Sequence, residues 1–200
     1  KMIKADKKYH KDAFELGVLF CELNIYPNDK LMYFNITSFR DLFTNAIILK
    51  EYDWAEYFIK EYIQYIGDEY RDNEFNYCSG ILSFKRGRFE ESLVFFGTVK
   101  TPDISYKLHL RYYYLMNYIE LNALESARSS IMLLRNFYQN QKDVIPEFIE
   151  NINESLKYFN EIIKCLEQGR KIDEMIYKEA NDGRNFTHKA YILEKMEKLK

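Results

Sequence analysis

Three times along this chain a large residue is followed three positions later by a small one, and four positions beyond that by another large apolar one. The sets are Tyr52, Ala55 and Ile59; Phe89, Ser92 and Phe96; and Leu124, Ala127 and Ile131. A further three along stand Tyr62, Val99 and Leu134, and nine residues before each opener lie Phe43, Gly80 and Leu115. The openers are spaced by 37 and then 35 residues. Steps of three and four are the spacing of a helix face. Small residues let two helices approach closely, and the large ones fill the gap to the next pair. A period of this length in helix pairs is the pattern of a solenoid. Its centre is Asn73–Val99, read as two helices meeting at Arg86-Gly87-Arg88, where glycine suits a tight or left-handed backbone.

Composition agrees with an all-α chain. Seven Gly and three Pro are too few for the turns of a β-rich fold, and 47% hydrophobic residues leave ample material for a core. The net charge of -2 gives no pull toward nucleic acid or an anionic membrane. Eighteen Tyr and fifteen Phe read as the bulky knobs of layered helix pairs.

A first helix is expected over Asp6–Leu23, with Tyr9, Ala13, Leu16, Phe20 and Leu23 as its apolar face. Tyr26-Pro27-Asn28-Asp29 breaks it. A second helix is expected over Met32–Lys50, with Phe39, Leu42, Phe43, Ala46 and Leu49 inward. Asp53 is placed to cap a third, which Gly67-Asp68 ends. Thr101-Pro102-Asp103 starts a sixth, which runs to Leu121, and a seventh gives way at Asn140-Gln141. Beyond lies a long helix, Lys142–Gly169, then a short one over Ile172–Ala180, a turn at Asp182-Gly183 and a last helix through Ala190, Leu193, Met196 and Leu199.

The repeated set resembles the tetratricopeptide repeat family. The middle unit carries the resemblance with Gly80, Gly87, Phe89, Ser92 and Phe96; the first has Leu42, Tyr52 and Ala55, and the third Tyr118 and Ala127. The resemblance covers residues 36–140. Phe43 and Leu115 stand where that family has a small residue, and Phe39, Asn76 and Arg111 where it has Trp. The chain is also similar to bacterial repeat proteins of unassigned function, which implies no particular ligand. The fold implied is an α-solenoid: an N-terminal helix and loop (1–35), three helix pairs (36–140) and a helical cap (141–200), together one domain.

In the family the first helix of each pair lines a concave groove for extended peptides or helices. The resemblance therefore implies a peptide-binding surface made by Arg40, Tyr77, Ile81, Lys85, Tyr112 and Met116, with Thr44 beside them. Apolar stripes on helices are more often core, so repeat-to-repeat packing is the competing reading of the same residues. The Asn-rich set with which the family grips a C-terminal carboxylate is not present.

Ile149, Ile152, Leu156, Phe159, Ile163 and Leu166 form a strict 3-4 seam in the long helix. It reads either as a cap on the last repeat or as a dimer interface. It spans too few heptads for a sustained coiled coil, which favours the cap.

Catalytic readings find no constellation. Cys78 and His109 lack an orienting third group, the pairs Glu90-Glu91 and Asp68-Glu69 sit at helix starts, and no Gly-rich phosphate loop occurs. Lys85-Arg86-Gly87-Arg88 beside Phe84 and Phe89 is a basic, aromatic cluster of the kind that binds nucleic acid, but Glu90-Glu91 follows at once, and an inter-helix turn is the better reading. Cys21, Cys78 and Cys165 are expected as reduced thiols, and no Cys or His pair has metal-ligand spacing. No cofactor, metal or nucleic-acid partner is expected. The charged start lacks a signal peptide's apolar core and no apolar run would span a bilayer, so a cytoplasmic protein is expected. The chain opens on Lys rather than Met, which leaves open whether it is a piece of a longer protein. The leading function is a non-catalytic protein–protein interaction module, and the alternative is a regulatory or sensor domain of a longer chain.

Overall fold

The computed structural model describes residues 2–27, 33–100, 104–139 and 146–200. Ten α-helices account for the regular structure of the described residues, and the chain divides into two compact units, Lys1–Thr101 and Pro102–Lys200. Among the described residues no helix is long and apolar enough to cross a membrane.

The first unit holds α1 (Met2–Glu22), α2 (Ile36–Leu49), α3 (Tyr52–Tyr62), α4 (Asp68–Lys85) and α5 (Phe89–Thr98), with a 3-10 turn, Ile63–Tyr65, closing α3. Asn35 caps α2 by accepting from the backbone N–H groups of Thr37 and Ser38 (2.9 and 3.3 Å). Lys50 ends that helix in the left-handed region, at φ 66°. Asp53 does not cap α3. Glu51 holds that position, and the Asp53 carboxylate instead accepts from Arg86 at 2.6 Å. Gly67 begins α4 rather than ending α3, so α4 starts at Asp68, ahead of the expected Asn73, with Asp68 and Glu69 at the positive end of its dipole.

The core of this unit is an aromatic stack. Phe58 lies between Phe39 (centroids 4.6 Å apart) and Trp54 (4.9 Å), and Phe34 stands edge-on to Phe39 and Phe58. Phe34 is held in place by its own N–H, which donates to the Tyr65 carbonyl at 2.8 Å. On the α4–α5 pair, Gly80 faces Phe96: a Cβ at Gly80 would meet the Phe96 ring at 2.5 Å. Ser92 Oγ donates to the Gly80 carbonyl at 2.9 Å, and Gly87 turns the chain at φ +76° with open space around it.

α1 presents a different face inward from the one its periodicity predicts. Tyr9, Leu16 and Leu23 are 69%, 51% and 59% exposed, whereas Gly17 and Cys21 are buried. The cause is what the neighbours offer. His10 Nδ1 donates to Asn45 Oδ1 (2.7 Å), Phe14 stands edge-on to Trp54 (4.9 Å), and Gly17 admits Leu42, whose Cδ1 would lie 2.5 Å from an added Cβ.

The second unit holds α6 (Ile104–Glu120), α7 (Leu124–Gln139), α8 (Pro146–Gln168), α9 (Glu174–Asp182) and α10 (Lys189–Glu197). The expected start at Thr101-Pro102-Asp103 and the break at Asn140-Gln141 lie outside the described residues. Asn122, at φ 55°, turns α6 into α7. Asp173 caps α9 through the N–H groups of Met175 and Ile176. The α8 seam is filled from inside this unit: Ile152, Leu156, Phe159 and Ile163 are buried, with Phe159 beside the rings of Tyr112 (6.1 Å) and Tyr191 (6.0 Å). Ile149 and Leu166 are half-buried at its ends. Glu120 on α6 ties α10 by accepting from Tyr191 and Lys195, both at 2.8 Å.

The close approach at Gly80 makes a clear prediction. Gly80→Ala lowers stability by about 1–3 kcal/mol through overpacking on Phe96, despite alanine's better helix propensity. Gly97→Ala, with nothing within 4 Å of the added methyl, raises it by up to about 1 kcal/mol. Urea unfolding midpoints of the two variants measure this, and equal shifts would contradict it.

Candidate functional site: the groove between α1 and α2

The residues named for a concave binding surface fall into three environments. Tyr77 and Ile81 on α4 are buried, with Tyr77 6.5 Å from the Phe96 ring. Arg40 on α2 is engaged by a buried carboxylate that the sequence does not announce. Its Nε and Nη2 donate to the two oxygens of Glu74 at 2.7 and 2.5 Å, a bidentate pair with Glu74 1% exposed. Lys85 is exposed at the end of α4, its Nζ 5.8 Å from the Phe84 centroid. In the second unit Tyr112 and Met116 are buried. The Tyr112 ring lies 4.6 Å from His188, and burial pushes its hydroxyl up to about 12, with Ser155 and Thr187 beside it. These side chains are interior, as the packing reading of the same stripe expects. Of the set, only Lys85 and part of Arg40 face solvent, and Thr44 beside them is exposed.

The remaining candidates are also accounted for by packing and ion pairs. In the basic turn, Arg86 donates to Glu56 (2.5 Å) and Asp53 (2.6 Å) on α3, and Arg88 pairs with Glu91 at 3.1 Å. Glu56 is held at about 2 by its bonds to Lys60 and then Arg86, so it stays ionised throughout the neutral range. Asp68 pairs with Arg71 at 2.6 Å. The three cysteines are buried. Burial pushes the Cys78 thiol well above its ordinary value, with Glu74 adding to the shift, and pushes Cys21 up to about 11. A thiol in that state is a poor nucleophile at neutral pH. Among the described residues no group of three or more His, Cys, Asp or Glu could hold a metal ion.

What the first unit does expose is an apolar wall beside a hollow. The stripe of α1 that its neighbours leave uncovered, Tyr9, Leu16, Leu19 and Leu23, continues into Ile25, each 45–69% exposed. A row of exposed large apolar side chains along one helix marks a candidate contact surface. Beside it, α1 and α2 enclose a groove of about 380 Å³. From α1 it is lined by Tyr9, His10, Ala13, Leu16, Gly17 and Phe20, and from α2 Leu42 adds an apolar side chain. The rest of the α2 side is polar, with Ser38, Thr44, Asn45 and one carboxylate, Asp41. From Tyr9 to Phe20 the groove runs roughly 17 Å at 1.5 Å per residue, the length of three helical turns. Its site signal in the sequence was the α1 stripe itself, assigned there to the core. No family model, curated protein or solved structure matches the chain.

The buried thiols give a chemical check. In native protein at neutral pH Cys21 alkylates far more slowly than a free thiol, because burial pushes its pKa up to about 11, and its labelling speeds up as pH rises toward that value. Mass-spectrometric counting of iodoacetamide adducts measures this. Rapid labelling of Cys78 at pH 7 would contradict the burial of its thiol.

Proposed function

We propose that the chain is a protein–protein interaction module: a short α-solenoid of tetratricopeptide-like helix pairs with a helical cap, binding its partner without catalysis. Several contacts support the helix-pair reading. Of the nine positions that define the repeat, Ala55, Ile59, Ser92, Phe96, Ala127 and Ile131 are buried, and the openers Tyr52, Phe89 and Leu124 are half-buried. In the middle unit the small residue and the aromatic that the resemblance pairs are in direct contact. The observation that carries the binding role is the uncovered apolar stripe of α1 along a groove three turns long.

This reading moves the docking surface from the register line to α1. Tyr77, Ile81, Tyr112 and Met116 contribute by packing, and the Arg40–Glu74 pair fixes α2 against α4. The apolar α1 side of the groove supplies contact area, and Ser38, Asp41 and Thr44 opposite supply polar selection. The dimensions suit a helical segment laid into the groove by its apolar ridge.

Panning a library of helix-forming and extended peptides against the dilute, intact chain tests this. Enriched peptides are expected to share one apolar helical face and to lose at least about tenfold in affinity on Leu16→Glu, since a buried charge replaces an anchor. Asp41→Lys, an exposed change, shifts the preferred charge of the ligand. No shared pattern, or binding indifferent to both variants, would contradict the proposal.

A further inference from the structure

The uncovered face of α1 carries more than apolar surface: its charges are sorted along the axis. Lys7, Lys8 and Lys11 occupy the first half, and Glu15 and Glu22 the second, all exposed and flanking Tyr9, Leu16, Leu19 and Leu23. Such a helix is complementary to itself when reversed. Resting on the interaction role proposed above, we infer that the occupant of this face is α1 of a second copy of the chain, packed antiparallel about a two-fold axis near Leu16.

The register follows from helix geometry. With Leu16 at the axis, Tyr9 of one copy stands level with Leu23 of the other, and Glu22 falls between the levels of Lys8 and Lys11. Tyr9 thus meets Leu23 and Leu16 its own counterpart, while Leu19 falls level with Ala13, and the Lys8–Lys11 cluster meets Glu22, twice over by symmetry, as an isologous interface requires. Parallel pairing would set lysines on lysines. The Lys11–Glu15 pair within α1, 3.5 Å apart with both side chains more than half exposed, is weak enough to yield to new partners. Asp12 interrupts the stripe between Tyr9 and Leu16, and a polar residue in such a seam lowers affinity while fixing register. From Tyr9 to Leu23 the contact is about 21 Å long, and a strip about 10 Å wide over that length covers about 200 Å² per partner, below the roughly 800 Å² of a standard interface, so the dimer is weak and reversible.

Sedimentation equilibrium of the full chain, from about 5 µM to about 500 µM as suits a weak complex, is the test. The apparent mass is expected to rise from 24.3 kDa toward twice that value. Leu16→Glu with Leu19→Glu, both exposed positions, is expected to hold the mass at the monomer with helicity unchanged. Glu22→Lys weakens the dimer, and adding Lys8→Glu and Lys11→Glu to the same chain restores it, which a merely sticky surface would not do. A mass fixed at 24.3 kDa across the range, or a dimer insensitive to the α1 variants, overturns the inference. If the chain stays monomeric while enriched peptides still bind α1, a different protein occupies the face and the interaction role stands. If neither occurs, both fail.

Discussion

The structure depends on how closely its paired helices approach, and that is set at a few positions lacking a side chain. At Gly80 the Phe96 ring occupies the volume a Cβ would need, and Ser92 bonds the same backbone carbonyl. At Gly17 Leu42 does likewise. Each contact joins a void on one helix to a knob on its neighbour, so the two surfaces fit in one register only. Close packing then makes any added methylene costly. Where the third pair has Leu115 in place of Gly80, both Leu115 and Ala127 remain buried, so the small residue is supplied from α7 alone.

Once the helices are this close, polar groups at their contacts must be paired. Glu74 is buried against α2 and accepts both arms of Arg40. Removing one partner of such a pair leaves an uncompensated charge in the interior. Arg86 ties the α4–α5 turn to two carboxylates of α3, and Arg128 reaches Glu167 from α7 to α8. The basic cluster at Arg86–Arg88 is therefore part of the frame, with its charge spent on neighbouring carboxylates.

The all-helical class and the places of most helices were legible in the amino-acid sequence, because apolar residues at steps of three and four mark a helix face. The apolar face of α8 was legible from its 3-4 spacing; Ile152, Leu156, Phe159 and Ile163 are buried, and Phe159 lies beside Tyr112 and Tyr191 within its own unit. The orientation of α1 was not. Periodicity locates an apolar face but carries no information on whether a neighbour covers it, and here the inward face is built from His10, Phe14, Gly17 and Cys21. Tyr77 and Tyr112 are buried, and their sequence could not announce it for a related reason: an aromatic on a helix reads alike whether it lines a groove or fills one. Glu74 gave no signal because a buried carboxylate differs from a surface one only through its tertiary partner. Start signals were also ambiguous, since both Asp53 and Gly67 neighbour a helix end and only the fold decides which one.

Leu16, Leu19 and Leu23 of α1 are exposed, whereas Tyr77, Ile81, Tyr112 and Met116 are interior. Covalent footprinting of the intact chain in dilute solution, read residue by residue by mass spectrometry, tests this most directly. Heavy modification of Leu16, Leu19 and Leu23 is predicted, with Tyr77, Ile81, Tyr112, Leu156 and Phe159 left unmodified. Strong labelling of Tyr77 and Tyr112 together with protection of α1 would contradict it.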